Sequence, residues 1–250
     1  LKWQKSFGGS SMDVGTCIVG TDDGGMIMSG YAVSNDGDVS GNHGVADFWI
    51  TKLDSLRNIE WQKCFGGNIE DEAYGIDKSS DGGYVAVGRT HSTNGQVTGL
   101  HGDMDIWVVK MDSVGTLLWQ KCYGGSAEEA GLYISQTNDS GYIIGGVSSS
   151  NDGDLSCLSS TPYKIWIIKI DSIGNIQWDK CMNSIGIGSA YMIKQAADGG
   201  YVISGRASPG LYGISDAFIT KIDSAGNIIW NKYIGGSDND DGYSFDFTAD

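Results

Sequence analysis

Proline is almost missing from this sequence. Pro162 and Pro209 are the only two in 250 residues, against 39 glycines that follow no G-X-Y period, so a collagen-like helix is excluded. Basic residues are scarce as well: 16 Lys and Arg stand against 31 Asp and Glu, for a formal net charge of −15. Nine of the sixteen fall at two fixed positions of a repeat (Lys52, Lys110, Lys169, Lys221; Lys5, Lys63, Lys121, Lys180, Lys232). Too few remain for a basic face, and no nucleic-acid partner is expected. No run approaches the roughly 20 apolar residues of a membrane-spanning helix, so no membrane span is expected. Leu1 falls inside a repeat, and no leader segment is read. No G-x-S-x-G, H-E-x-x-H or P-loop occurs. At 40% hydrophobic residues the chain is not disordered.

What is present is repetition. The string DMDIWVVKMDSVGTLLWQKCYGG (Asp103–Gly125) recurs from Asp47, Lys164 and Asp216, and a shortened copy opens the chain at Trp3. The tryptophans of W-x-K (Trp3, Trp61, Trp119, Trp178, Trp230) are spaced by 58, 58, 59 and 52 residues. The aspartates of D-[GS]-G (Asp23, Asp81, Asp139, Asp198) keep the same step, so the period is a structural unit.

Within one unit, Glu72–Ser79, Tyr84–Thr90, Asp105–Met111 and Thr116–Cys122 read as strands, separated by the turn signals Asp81-Gly82-Gly83 and Asp112–Gly115. No window carries a helical period. Four antiparallel strands per unit predict an all-β fold, a β-propeller of four-stranded blades. Its rival, a β-solenoid, uses shorter coils. The full length, 1–250, is expected to form a single propeller region, with blades at about 8–63, 64–121, 122–180 and 181–232. Partial strands are expected at 1–7 and 233–250 (Trp3–Ser6 and Asp241–Thr248), with further blades from a longer chain or a partner.

Cys64, Cys122 and Cys181 are repeat equivalents, too far apart to bridge one another, and are expected to be reduced, buried thiols. Cys17 and Cys157 have no repeat counterpart. The usage is not that of a disulfide scaffold and by itself favours a reducing compartment.

The loops between second and third strands (Ser34–Ala46, Ser92–Asp103, Ser148–Tyr163, Ser208–Ser215) should emerge on one face of a ring and form its binding surface. Asp36, Asp38 and Asn42 alternate in the first, and Asp152 and Asp154 repeat its start. Oxygen ligands at that spacing suit calcium, with Asp36, Asp38, Asp152 and Asp154 as its ligands. Asn-Asp-Gly is equally an ordinary turn, and the second loop lacks both carboxylates. His43 and His101 are equivalents, and with His91 they match no zinc spacing. Tyr163 and Tyr212 complete the candidate set. No catalytic residue and no cofactor other than calcium is expected.

Trp49, Trp107 and Trp166, with Phe218 in the fourth slot, read as core rather than as sugar-stacking platforms. Lys52, Lys110, Lys169 and Lys221 are expected to pair with repeat aspartates such as Asp54 or Asp112, because an unpaired buried charge is costly. Arg57 replaces the glycine of Gly115, Gly174 and Gly226. Gly188 stands where Asp13, Asp71, Glu129 and Asp240 stand.

The combined phrases KLDSxGNIxWQKxxGG, SxDGGYVxxG and SNDGDVSGNHGxxDFW resemble the propeller repeats of large secreted Bacteroidetes proteins. Many of those carry a C-terminal type IX secretion sorting domain. The resemblance covers nearly the whole chain and implies a secreted or cell-surface location. The function expected is a non-catalytic binding or adhesion scaffold taking a glycan or surface protein. A structural module of a larger surface assembly is a second reading, and a polysaccharide-active enzyme a third.

Overall fold

β-Branched and aromatic residues dominate the segments between Gly- and Asp-rich turns, and each such segment becomes a strand. The computed structural model describes residues 3–157, 163–183, 185–208, 210–211 and 214–248. The first sheet comprises β1 (Asp13–Gly20), β2 (Met26–Ala32), β3 (Asp47–Leu53) and β4 (Ile59–Phe65). The second comprises β5 (Asp71–Lys78), β6 (Tyr84–Thr90), β7 (Asp105–Met111) and β8 (Leu117–Tyr123). The third comprises β9 (Glu129–Gln136), β10 (Tyr142–Ser148), β11 (Lys164–Ile170) and β12 (Ile176–Cys181). The fourth comprises β13 (Ile187–Gln195), β14 (Tyr201–Ser208), β15 (Asp216–Ile222) and β16 (Ile228–Ile234). Each sheet is a four-stranded antiparallel meander in which consecutive strands are neighbours. No helix occurs among the described residues, and none is long and apolar enough to cross a membrane. The chain divides into two compact units, residues 1–100 with 108–122, and residues 101–107 with 123–250.

The register explains the terminal glycine of SxDGGYVxxG. The first strand of every sheet carries a one-residue bulge, at Thr16, Tyr74, Leu132 and Tyr191. Opposite each bulge sits Gly30, Gly88, Gly146 or Gly205. A Cβ there would lie 1.8, 1.9, 2.2 or 2.0 Å from a carbonyl oxygen of the bulged strand. The glycine lets the two backbones approach.

The third strands β3, β7 and β11 are buried along their whole length. Trp49, Trp107, Trp166 and Phe218 are at most 1% exposed. They are core residues, each removing enough apolar surface to contribute on the order of 5 kcal/mol.

The buried lysines do find aspartates, but not Asp54 or Asp112. Lys52 Nζ reaches Asp23 (2.7 Å) and Glu60 (2.8 Å). Lys110 meets Asp81 (2.8 Å), Lys169 meets Asp139 (2.9 Å) and Lys221 meets Asp198 (2.6 Å). All four aspartates sit in the hairpin turn that precedes the second strand, at the end of the sheet where the third strand finishes, whereas Glu60 lies on β4. Asp54, Asp112 and Asp223 instead accept backbone N–H groups of their own turns, from Asn58 (2.8 Å), Thr116 (2.7 Å) and Asn227 (2.8 Å). In those turns Arg57 takes the left-handed conformation of its glycine counterparts (φ 69°), as does Ser140 (φ 65°) in the slot of Gly24, Gly82 and Gly199.

Two expectations fail. Trp3–Ser6 and Asp241–Thr248 are not strands. Neither segment belongs to any of the four sheets, and a strand without a ladder leaves its backbone groups unpaired. Cys181 is not a reduced thiol either: it forms a disulfide with Cys157, their Cα atoms 5.8 Å apart. The third loop brings Cys157 back to β12, a proximity no repeat ruler reports. Cys17, Cys64 and Cys122 are not disulfide-bonded. Burial pushes the Cys64 thiol up to about 12.

Candidate functional site

In the first three repeats the loop residues expected to form a binding surface converge on the Gly-Gly turn that opens the repeat. Asp36 Oδ1 accepts from Ser10 N–H (2.7 Å) and Asp38 Oδ2 from Gly8 N–H (3.2 Å). Asp152 Oδ1 accepts from Ser126 N–H (2.8 Å) and Asp154 Oδ2 from Gly124 N–H (3.2 Å). In the second repeat Asn94 and Gln96 accept the equivalent donors, Asn68 N–H (2.9 Å) and Gly66 N–H (3.0 Å). A neutral amide therefore performs the role of each carboxylate. The donated bonds from Ser10 and Ser126 hold Asp36 and Asp152 below the usual carboxylate range. Among the described residues no group of three or more His, Cys, Asp or Glu is placed to hold a metal ion.

Asn42 organises its own loop, donating to Ala32 O (2.9 Å) and Ser34 O (3.3 Å) and accepting from Gly44 N–H (2.9 Å). His43 Nδ1 lies 2.5 Å from Asp47 Oδ2, and His101 Nδ1 lies 2.6 Å from Asp105 Oδ2. His101 Nε2 also faces Asp154 at 3.9 Å. Burial opposes protonation of His101, but the hydrogen bond to Asp105, with Asp154 and Glu129 nearby, raises its pKa on balance. Tyr163 is exposed. Tyr212 lies outside the described residues.

Behind the loops lies a set that the sequence reading missed. The first glycine of the turn passes between two fully buried acids. A Cβ on Gly66 would lie 2.6 Å from both Asp47 Oδ1 and Asp71 Oδ2. On Gly124 it would lie 2.5 Å from Asp105 Oδ1 and 2.6 Å from Glu129 Oε2. The second glycine donates its N–H to the same acid four residues on: Gly67 to Asp71 (2.7 Å) and Gly125 to Glu129 (2.9 Å). Asp71 further accepts from Ser92 Oγ (2.9 Å) and Thr90 Oγ1. Asp47 Oδ1 and Asp105 Oδ1 have no conventional donor; the close glycine Cα–H groups are what faces them. Burial raises the pKa of Asp47, Asp71 and Asp105. The signal available in the sequence was H-G-x-x-D, a histidine four residues before each strand-opening aspartate. Paired carboxylates can serve as acid and base, but this pair is sealed behind backbone, and its chemistry here is to accept hydrogen bonds.

The site and fold together define an all-β protein of repeated four-stranded sheets. No family model matches the chain, and no curated protein matches it. Among solved structures it is similar to the crystal structure of Sqt1 from Chaetomium thermophilum, with 11% identity and a TM-score of 0.44. The match covers 90% of this chain, which spans 62% of that one.

Proposed function

We propose that the chain is a stretch of an extracellular, non-catalytic β-propeller that acts as a binding or interaction scaffold through the loops between second and third strands. The observation that carries this reading is apolar exposure on the described residues of these loops. Val45 is 52% exposed in the first loop, Tyr163 48% in the third, and Leu211 and Ile214 65% and 64% in the fourth. Large exposed apolar groups on loops suit a surface protein or the face of a sugar ring. The Cys157–Cys181 disulfide supports a secreted or cell-surface location, since such bonds persist in oxidising compartments. The test uses Val45→Ser, Tyr163→Ala and Ile214→Ser, none of which is a residue of a Gly-Gly turn. Each should reduce retention on a glycan array or adhesion to host-type cells by about tenfold. Retention and adhesion equal to those of the parent in all three variants would overturn the proposal.

A second reading, a structural module within a larger assembly, is favoured by one contrast. Phe65, Tyr123 and Met182 are 4%, 3% and 3% exposed, whereas Ile234 in the same slot of the fourth sheet is 62% exposed, beside exposed Ile229 and Trp230. A further sheet of the same kind, from this protein or a partner chain, would cover them. A protein that sediments as a monomer at high concentration would count against this reading.

A further inference from the structure

At the end of the first two sheets opposite those loops lies a cavity of about 300 Å³, lined by Asp22, Asp23, Lys52, Glu60, Lys78 and Tyr84 among others. Three of these charges break the repeat. The slot of Asp22 holds Ser80, Asn138 and Ala197 elsewhere, that of Glu60 holds Leu118, Gln177 and Ile229, and that of Lys78 holds Gln136 and Gln195. The third and fourth sheets show that the frame does not need them charged. There Gln177 Oε1 takes the place of Glu60 on the buried lysine (Lys169 Nζ, 2.9 Å). Gln195 Oε1, accepting from Asn138 N–H (2.8 Å), stands in for the Lys78–Asp22 ion pair.

The walls therefore carry three carboxylates against two ammonium groups. Lys52 Nζ, almost fully buried, has all three donors committed, to Asp23, Glu60 and Leu53 O (3.1 Å), and offers an anion nothing. The carboxylates of Asp22, Asp23 and Glu60 remain open to solvent and keep free lone pairs. Tyr84 is only 6% exposed, and its hydroxyl has no hydrogen-bond partner among the described residues. We propose that this cavity binds a small ligand bearing a primary ammonium group, its charge met by Glu60 and Asp22 and its body lying against Tyr84. The volume admits a short diamine or one amino sugar.

Calorimetric titration of the whole chain tests this with 1,4-diaminobutane and glucosamine as the two sources of ammonium, and N-acetylglucosamine and phosphate as controls. One or both amines should bind, at roughly millimolar affinity for so open a site, while the controls do not. Glu60→Gln and Asp22→Asn, which install residues the third repeat already tolerates, should each weaken amine binding about tenfold with an unchanged thermal midpoint. Tyr84→Phe should weaken it about threefold. No heat from either amine, equal binding of N-acetylglucosamine, binding of phosphate, or amine binding unaltered in Glu60→Gln and Asp22→Asn would each overturn the proposal.

Discussion

The loop from β2 to β3 and the loop from β10 to β11 are held to equivalent frames by opposite chemistry. In the first, buried Asp47 accepts from the His43 backbone N–H (3.0 Å) and lies against Gly66, with Asp71 on the other side. Gln62 donates to Ser40 Oγ (2.6 Å). In the third repeat Lys164 occupies the slot of Asp47, equally buried, and donates to Ser150 O and Asn151 Oδ1 (3.2 Å). Asp179 replaces Gln62 and accepts from Ser156 N–H (3.0 Å) and Trp166 Nε1–H (2.9 Å). Asn183-Ser184 and Gly188 replace the glycine pair and its acid, and the Cys157–Cys181 disulfide is added. The difference teaches that the whole anchor is exchanged together. Changing one member alone would leave a buried charge or donor without its partner.

The sharpest way to break this comparison is to put a side chain where the first anchor has none. Gly66→Ala should cost about 3 kcal/mol in urea unfolding, because its Cβ meets two carboxylate oxygens at 2.6 Å and the surroundings are fully packed. Gly236→Ala, where a Cβ meets nothing within 4 Å, should leave the midpoint nearly unchanged. Equal losses in the two would mean that close approach is not what the glycine pair provides.

Next in size is the anchor peculiar to the third repeat. Replacing Cys157 and Cys181 together by serine should cost about 2–4 kcal/mol. Reductant should reproduce that loss in the parent and add nothing in the double variant. A parent insensitive to reductant would remove the disulfide from the anchor.

The pH dependence should separate the two anchors by sign. Burial lifts the carboxyl pKa of Asp47, so the folded state holds its proton more tightly than the unfolded chain. Stability from that group is present below its unfolded pKa and is lost as pH rises through its folded one. Burial lowers the pKa of Lys164, so its cost is present at neutral pH and is relieved as pH rises through the folded value towards the ordinary lysine range. Relative to the parent, Asp47→Asn should therefore gain stability as pH rises from the ordinary carboxylate range, and Lys164→Met should lose part of its relative advantage as pH rises towards the ordinary lysine range. Urea midpoints across pH read both, and parallel profiles would contradict the assignment.

The smallest effect is in the turns. Arg57→Gly and Ser140→Gly should each raise stability by about 0.5 kcal/mol, since both side chains sit at positive φ. A loss in either would show that its side chain contributes more than the strained backbone costs.

Much of this was legible in advance, and the failures share one cause. The strands of the second repeat were placed within one residue of Asp71–Lys78, Tyr84–Thr90, Asp105–Met111 and Leu117–Tyr123. Propensity and turn chemistry act over a few residues, and four copies average out local noise. The lysines were correctly read as paired but given the wrong partner. Asp54 is two residues from Lys52 in sequence, yet it lies past the end of β3 and is held by the backbone N–H of its own turn, while Asp23 arrives through the antiparallel ladder. Asp36, Asp38, Asp152 and Asp154 were read as a cation site or a turn. Their backbone donors, more than twenty residues away, were not visible along the chain.

The sequence alone therefore determined the period, the strands, the turns and the buried tryptophans, all set by local propensity, turn chemistry and near-continuous apolar runs in the third strands. Only the tertiary structure decided what each buried polar group does. Such a group must find a partner of the right chemistry within about 3 Å, and folding brings that partner from anywhere in the chain. Asp47 and Lys164 share one slot and one burial, and they differ in everything the surrounding backbone presents to them.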